Sequence, residues 1–319
     1  MAPEPLRIGY VPEHFSTPLY FAKTKHNAPW TLIPFPSGTG HMIEALKSQS
    51  IDIGIGLTEG WIAGLARNPT QPPPYALVGT YVENPLRWAI STGGKREDFA
   101  TQSDPGEWMK ELKGKRMGVS RVGSGSYVMG FVVGDKMGWL EEGEEPFEVV
   151  VLETFEKLRE GVSGMSGAND SGGGGAKADF FMWEHFTSKR YFDSGEIRKI
   201  GEVVTPWPSW HVVARPEVVD KDVLEEFFTL LDQGVKFFQK NHGEAVEYIS
   251  TELDYSKEDA EEWLMGVQFA KEVKGVRQSV VNQTIEVLKK AGVVGKDVDG
   301  EGMIKISRQE PGLLSALIG

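Results

Sequence analysis

The residues of this chain that could do chemistry sit in turns, and those turns share a composition. Pro36-Ser37-Gly38-Thr39-Gly40 follows the apolar run Leu32 to Phe35, and Thr58-Glu59-Gly60 follows Ile51 to Leu57. Arg121-Val122-Gly123-Ser124-Gly125-Ser126 follows Lys115 to Ser120. Each turn precedes a helical stretch: Met42, Ile43 and Leu46 share one face, Trp61, Ile62 and Leu65 another, and a helix is expected from Tyr127 to Met137. A strand that passes into a helix this way leaves backbone N–H groups free at the helix start. Open α/β sheets bind ligands at such strand ends. Thr39 or Thr58 alone reads as an ordinary helix cap. Several such turns together, with a guanidinium at Arg121 and a carboxyl at Glu59, read as a site for binding a small polar molecule.

Two more strand ends add candidates. Glu13 and His14 lie in the loop after Leu6 to Tyr10, with Thr17 as the expected cap of a helix over 19–24 and Pro18 in its first turn. His14 reads equally as a ligand contact and as a solvent-facing loop residue. Trp183 and Glu184 end the buried run Asp179 to Trp183, where they can hold a ring and a donor, or simply pack and cap. The GSGS turn lacks the Gly-Lys-Ser/Thr of a P-loop and the full dinucleotide glycine pattern, which argues against a nucleotide. The histidines at 14, 26, 41, 185, 211 and 242 form no metal-ligand spacing, and there is no cysteine, so no metal is expected. No nucleophile elbow is present. Trp61, Trp88, Trp183, Trp207 and Trp210 offer flat surfaces for a ring.

These turns need strands to carry them. Further strands are expected at Tyr75 to Tyr81, Leu86 to Ser91, Phe147 to Leu152, Ile197 to Val204 and His211 to Ala214. From Asp220 the pattern is helical. Val223, Phe227, Leu231, Gly234 and Phe238 share a face, Ser256 opens a capping box, and Gly292 stops a helix over 278–291. Thr92 to Gly106 is a polar crossing, Thr205 to Trp210 another, and the glycine-rich run from Gly161 to Gly175 a flexible surface loop. At 319 residues the chain has room for two domains. The expected fold is α/β and two-lobed, with 1–91 and 205–319 in one lobe and 92–204 in the other.

A net charge of −12 argues against nucleic acid and anionic membranes as partners. No apolar run approaches the roughly 20 residues of a membrane span. The start, MAPEPLRIGY, has neither the basic region nor the apolar core of a signal peptide, so a cytoplasmic location is expected.

The order LRIGYVPEHFSTPLYFAKTK, IEALKSQSIDIGIGLTEGWIAGL, GKRMGVSRVGSGSYVMG, ADFFMWEHF resembles the type II periplasmic-binding-protein fold over nearly the whole chain. It is similar to the nitrate-, sulfonate- and taurine-binding branch (SsuA-like), which includes thiamine-pyrimidine synthases (THI5-like), and most of all to the fungal cytosolic Ca3427-like group. The resemblance implies two lobes joined by crossings near Ile90–Gly93 and Val204–Pro208 and closing on a ligand in the interlobe cleft. It puts Glu13, His14, Thr17, Gly38, Thr39, Thr58 and Glu59 on one wall and Ser120, Arg121, Ser124, Ser126, Trp183 and Glu184 on the other. The synthases' pyridoxal-phosphate lysine and substrate histidine fall on Thr58 and Ile62, and their cysteine-rich motif is absent. Without that amine and imidazole, their chemistry has no foothold. The expectation is a ligand binder without cofactor, monomeric or weakly dimeric, binding a sulfonate, a taurine-like zwitterion or a pyrimidine-like compound. The alternatives are an enzyme of thiamine-pyrimidine precursor metabolism and a transporter-type substrate-binding subunit.

Overall fold

The computed structural model describes residues 4–67, 72–99, 105–140, 145–164, 177–219 and 222–310. In chain order the first elements are β1 (Arg7–Tyr10), α1 (Thr17–His26), β2 (Thr31–Pro34), α2 (Thr39–Lys47), β3 (Ile53–Leu57), α3 (Thr58–Arg67) and β4 (Ala76–Val82). Next come β5 (Arg87–Gly93), α4 (Pro105–Lys110), β6 (Arg116–Val119), α5 (Gly125–Lys136), β7 (Glu148–Val151), α6 (Phe155–Val162), β8 (Phe180–Glu184), α7 (His185–Asp193) and β9 (Ile197–Val204). Last are β10 (Trp210–Ala214), α8 (Pro216–Val219), α9 (Asp222–Lys240), α10 (His242–Glu252), α11 (Lys257–Gly266) and α12 (Gln278–Lys290). The chain divides into two compact units, 1–84 with 206–286 and 294–319, and 85–205 with 287–293.

Each unit is built on a mixed five-stranded sheet, and the two sheets follow one plan. The first runs β2-β1-β3-β10-β4, the second β7-β6-β8-β5-β9. In both, three parallel strands are followed by one antiparallel strand, β10 beside β3 and β5 beside β8. Residues 90–93, where a crossing was expected, lie inside β5, paired with β9 and, through Ile90 and Ser91, with β8.

The same ion-pair device pins both sheets at the N-terminal ends of their parallel strands. Asp52, just before β3, accepts from the backbone N–H of Arg7 at 2.9 Å, from its guanidinium at 2.9 and 2.7 Å, and from Arg215 at 3.2 Å. Asp179, just before β8, takes the Arg116 N–H at 2.9 Å, the Arg116 guanidinium and the Arg96 guanidinium. Burial opposes the charge on both aspartates, but the arginine hydrogen bonds outweigh it and hold both below the usual carboxylate range. With the N-terminal ends tied, each turn at the opposite ends can specialise.

Alternation along β3 explains its glycines. Ile53 and Ile55 fill one face, and on the other a Cβ at Gly54 would lie 2.8 Å from the Trp61 ring. A Cβ at Gly56 would lie 2.7 Å from Thr39 Oγ1. The IGIG sequence therefore lets α2 and α3 sit close on the sheet, and Trp61, a candidate ring-binding surface by sequence, is wholly buried core. Helix α9 packs on α1 and buries Leu224, Phe227, Phe228, Leu231, Gly234, Val235 and Phe238 in all, while Val223 is only half-buried. Ser256 caps α11 by accepting from the Asp259 N–H at 3.0 Å, and Gly292, at φ 63°, follows α12, as the sequence pattern expects. Of the glycine-rich run, Gly161 and Val162 close α6, and 165–175 lie outside the described residues, as do 141–144 of the acidic turn.

Candidate functional site

In the first unit, the C-terminal parts of β1, β3 and β4 and the N-terminal start of the antiparallel β10 border a small cavity lined by Tyr10, Phe15, Ser16, Ile55, Tyr81 and Trp210. Its walls are largely aromatic: Phe15 and Trp210 lie 5.1 Å apart between ring centres, and Tyr81 Oη donates to the Phe15 carbonyl at 2.8 Å. Trp210 pairs with Leu57 across the β10–β3 ladder, so it stands next to the Thr58-Glu59 turn. Its indole N–H is buried and has no partner among the described residues.

Glu59 is the most unusual group at this sheet end. It lies in the first turn of α3 and is 1% exposed. Trp207 Nε1 donates to its Oε2 at 3.1 Å, whereas Oε1 is buried with no hydrogen-bond partner among the described residues. Burial pushes its pKa up to about 7, against the downward pull of its own backbone N–H and the Trp207 indole.

The neighbouring hydroxyls are structural ties, not caps. Thr17 is the first residue of α1 and donates to the His14 carbonyl at 2.7 Å. Thr39 Oγ1 accepts from the Leu57 N–H at 2.9 Å, joining α2 to the end of β3. Thr58 donates to the Pro208 carbonyl and lies 2.8 Å from His211 Nδ1, whose ring reaches Thr80 Oγ1 at 3.3 Å through Nε2. A hydroxyl has one proton. With that proton on Pro208, Thr58 accepts from His211 Nδ1–H, while the Thr80 hydroxyl donates to the Gly275 carbonyl at 3.1 Å. Desolvation, reinforced by Arg277 and Arg308, lowers the His211 pKa to about 3, so this ring is neutral. The arrangement locks segment 205–209 onto α3; it does not activate a nucleophile.

His14 does not face solvent, against one of its two readings. It is 1% exposed and enclosed by Phe15, Tyr255 and Trp263 at 4.4 to 4.6 Å between ring centres, and desolvation drives its pKa well below the usual value. Glu13 beside it is half-buried and starts a 3-10 turn, with its carbonyl accepting from Ser16. Gly38, at φ 77°, turns the chain into α2 where only open space surrounds it.

In the second unit, Ser124 caps α5 through the Tyr127 N–H at 3.4 Å and lies 2.9 Å from Ser126 Oγ, which accepts from the Ser120 N–H at 3.3 Å. Both serine side chains are buried, while Arg121 and Val122 are exposed at the turn. Trp183 stacks on Phe155 at 4.8 Å with an 11° tilt. Glu184 caps α7, its Oε2 accepting from Thr187 N–H at 2.7 Å and Thr187 Oγ1 at 2.9 Å. Burial pushes the Glu184 pKa to about 7 despite those bonds. The packing-plus-cap alternative thus describes the contacts that Trp183 and Glu184 make in this structure. Tyr10, Phe15, Tyr81 and His211 were not singled out by sequence; the available signal was that three of the four lie at or beside strand ends.

Among the described residues no group of three or more acidic or histidine side chains could hold a metal, and no helix is long and apolar enough to cross a membrane. No curated protein matches the chain. A profile of the Ca3427-like PBP family matches residues 88–203. Among solved structures, the Candida albicans CA3427 gene product, described as defining a family with the generic periplasmic binding protein fold, is 37% identical. The match covers 97% of this chain and 99% of that one, at a TM-score of 0.80. The alkanesulfonate-binding protein SsuA from Xanthomonas axonopodis pv. citri, bound to MOPS, superposes at 0.72 with 15% identity over 93% of this chain and 96% of its own. The periplasmic nitrate-binding protein NrtA from Synechocystis PCC 6803 superposes at 0.67 with 13% identity over 93% and 84%. The two latter likenesses speak to fold alone. Identity and coverage with the Candida protein settle the family: this chain belongs to the Ca3427-like family and has the periplasmic-binding-protein fold.

Proposed function

We propose that the chain is a small-molecule binding protein whose ligand is small and polar: a sulfonate, a taurine-like zwitterion or a pyrimidine-like compound. The observation that carries this reading is the pair of unsatisfied buried polar atoms, Glu59 Oε1 and Trp210 Nε1, at one sheet's strand ends in a protein of this fold. Buried polar atoms are nearly always hydrogen-bonded, and those that are not call for an explanation. A bound molecule supplies one. The fold relatives, one bound to MOPS and one named a nitrate-binding protein, support small oxyanions as one ligand class. In this reading Arg121 takes an anionic group. Thr58 and Ile62, at the positions matching the synthase lysine and histidine, favour binding over that family's catalysis.

A thermal-shift panel of sulfonates, taurine, nitrate, phosphate, pyrimidines, thiamine precursors and pyridoxal phosphate tests it. A ligand at 100 times its Kd stabilises by about 2.7 kcal/mol, which is a shift of a few degrees at this size. Arg121→Ala should abolish the response to an anionic hit and leave the unliganded Tm unchanged, because the side chain is exposed. A flat panel, or unchanged affinity in that variant, would overturn the corresponding part of the reading.

A further inference from the structure

Helices α10 and α11 of the first unit pack together, and their inner faces bury Ala245, Ile249, Ala260 and Trp263 in the core. The outer side of the pair is an open groove of about 730 Å³. Along it, Lys257, Glu261, Leu264 and Met265 form a helical stripe on α11, and His242, Val246 and Ser250 form one on α10. Val246, Leu264 and Met265 make the apolar part. Met265 is 83% exposed, more than any other exposed large apolar side chain among the described residues. A single exposed apolar residue is ordinary. This one continues into Leu264 and Val246, and a groove between two helices receives the apolar face of a third.

Charge indicates what kind of helix fits. Residues 242–266 carry eight carboxyl side chains against one lysine, −7 of the chain's −12. Glu247 and Glu261 stand on the two walls of the groove. Glu247 has no ion-pair partner among the described residues. Lys257 lies 3.9 Å from Glu261 with both side chains more than half exposed, a pair of little strength. Acidic walls attract a cationic helix and repel an anionic one. The chain's own apolar run 313–318, Leu-Leu-Ser-Ala-Leu-Ile, carries no cation to meet them.

We propose that the α10–α11 groove docks a basic amphipathic helix of a partner protein, its apolar side chains on Val246, Leu264 and Met265 and its lysines or arginines facing Glu247 and Glu261. The two helices offer roughly 15 Å, about three turns of such a partner. This contact does not depend on the small-molecule reading above.

The probe is a labelled Leu–Lys heptad peptide of about 14 residues, titrated with the full chain by fluorescence anisotropy. Its controls are a peptide of the same composition with the leucines spread around the helix, and a Leu–Glu counterpart. The Leu–Lys peptide should bind, more weakly as salt is raised, and both controls should bind at least about tenfold more weakly. Met265→Ser should weaken binding by at least about fivefold, and Glu247→Gln with Glu261→Gln should flatten the salt dependence. Val122→Ser, at an exposed valine of the second unit, should leave binding unchanged. All these side chains are exposed, and circular dichroism confirms that the variants fold. No binding of the Leu–Lys peptide, equal binding of either control, or equal effects of Met265→Ser and Val122→Ser overturns the proposal. A dimer in sedimentation that Met265→Ser abolishes gives the groove to a second copy. A rise in peptide affinity on Leu313→Ser with Leu317→Ser gives it to the run 313–318. Either result overturns the partner assignment.

Discussion

Glu59 supplies a test that needs no ligand. Its ordinary pKa of 4.5 applies to the unfolded chain, and burial raises it to about 7 in the folded one. The native state therefore holds this proton more tightly, so between those values folding is coupled to proton uptake. The stability this gives is complete below pH 4.5, falls as the pH climbs toward about 7, and is gone above. Each pKa unit corresponds to about 1.4 kcal/mol, so the whole loss is about 3 kcal/mol. Glu59→Gln removes the titration and keeps the shape. Relative to the parent, the variant should gain about 3 kcal/mol between pH 4.5 and 8, whatever its offset at the acid end. Urea denaturation of both proteins at several pH values across this range reads that difference directly. Glu184, also raised to about 7, titrates in both proteins and cancels. A difference between variant and parent that stays flat with pH would refute the placement of Glu59 as a buried carboxyl without a counter-charge.

Two further predictions concern the scaffold. A Cβ on Gly234 would lie 2.2 Å from the Pro18 carbonyl oxygen and 2.9 Å from the Ala22 nitrogen, both backbone atoms that cannot turn aside. Gly234→Ala should therefore cost about 3 kcal/mol in urea unfolding, whereas Gly243→Ala in α10, which meets nothing within 4 Å, should be neutral or stabilising. Thr58→Val removes the hydroxyl shared by Pro208 and His211 and should cost about 1–3 kcal/mol, with Thr58→Ser recovering most of it; a neutral valine variant would show that the tie contributes nothing.

Much of the scaffold could be read locally. The apolar runs and the helical spacing gave the strands and helices around residues 32–65 to within a few residues, because those signals repeat within one or two turns. The positions of the strand ends were legible for the same reason. What individual side chains do there was not, because their partners are remote in sequence. Thr39 looked like a cap, yet its acceptor role is set by Leu57, eighteen residues on. Thr58 is held by His211, 153 residues away. His14 gave even odds between ligand and solvent because the rings that enclose it, Tyr255 and Trp263, come from the far end of the chain. Glu59 was a candidate for its residue type and position; its unpaired oxygen follows from how segment 205–209 returns, bringing Trp207 to one side of the carboxyl only.

The strand between β3 and β4 in the first sheet is β10, which begins at Trp210, long after β4 ends at Val82. On the ribosome, β3 and β4 are therefore made early and must wait with facing edges unfilled until β10 emerges. At about 5–20 residues per second that interval is on the order of ten seconds. The second sheet has no such delay, since its five strands, β5 to β9, lie within 87–204 and are all made before β10 appears. The sheet that starts first in the sequence is thus completed last. A chain that ends before residue 210 would expose two apolar strand edges with no internal means of covering them, and should be recovered as aggregate.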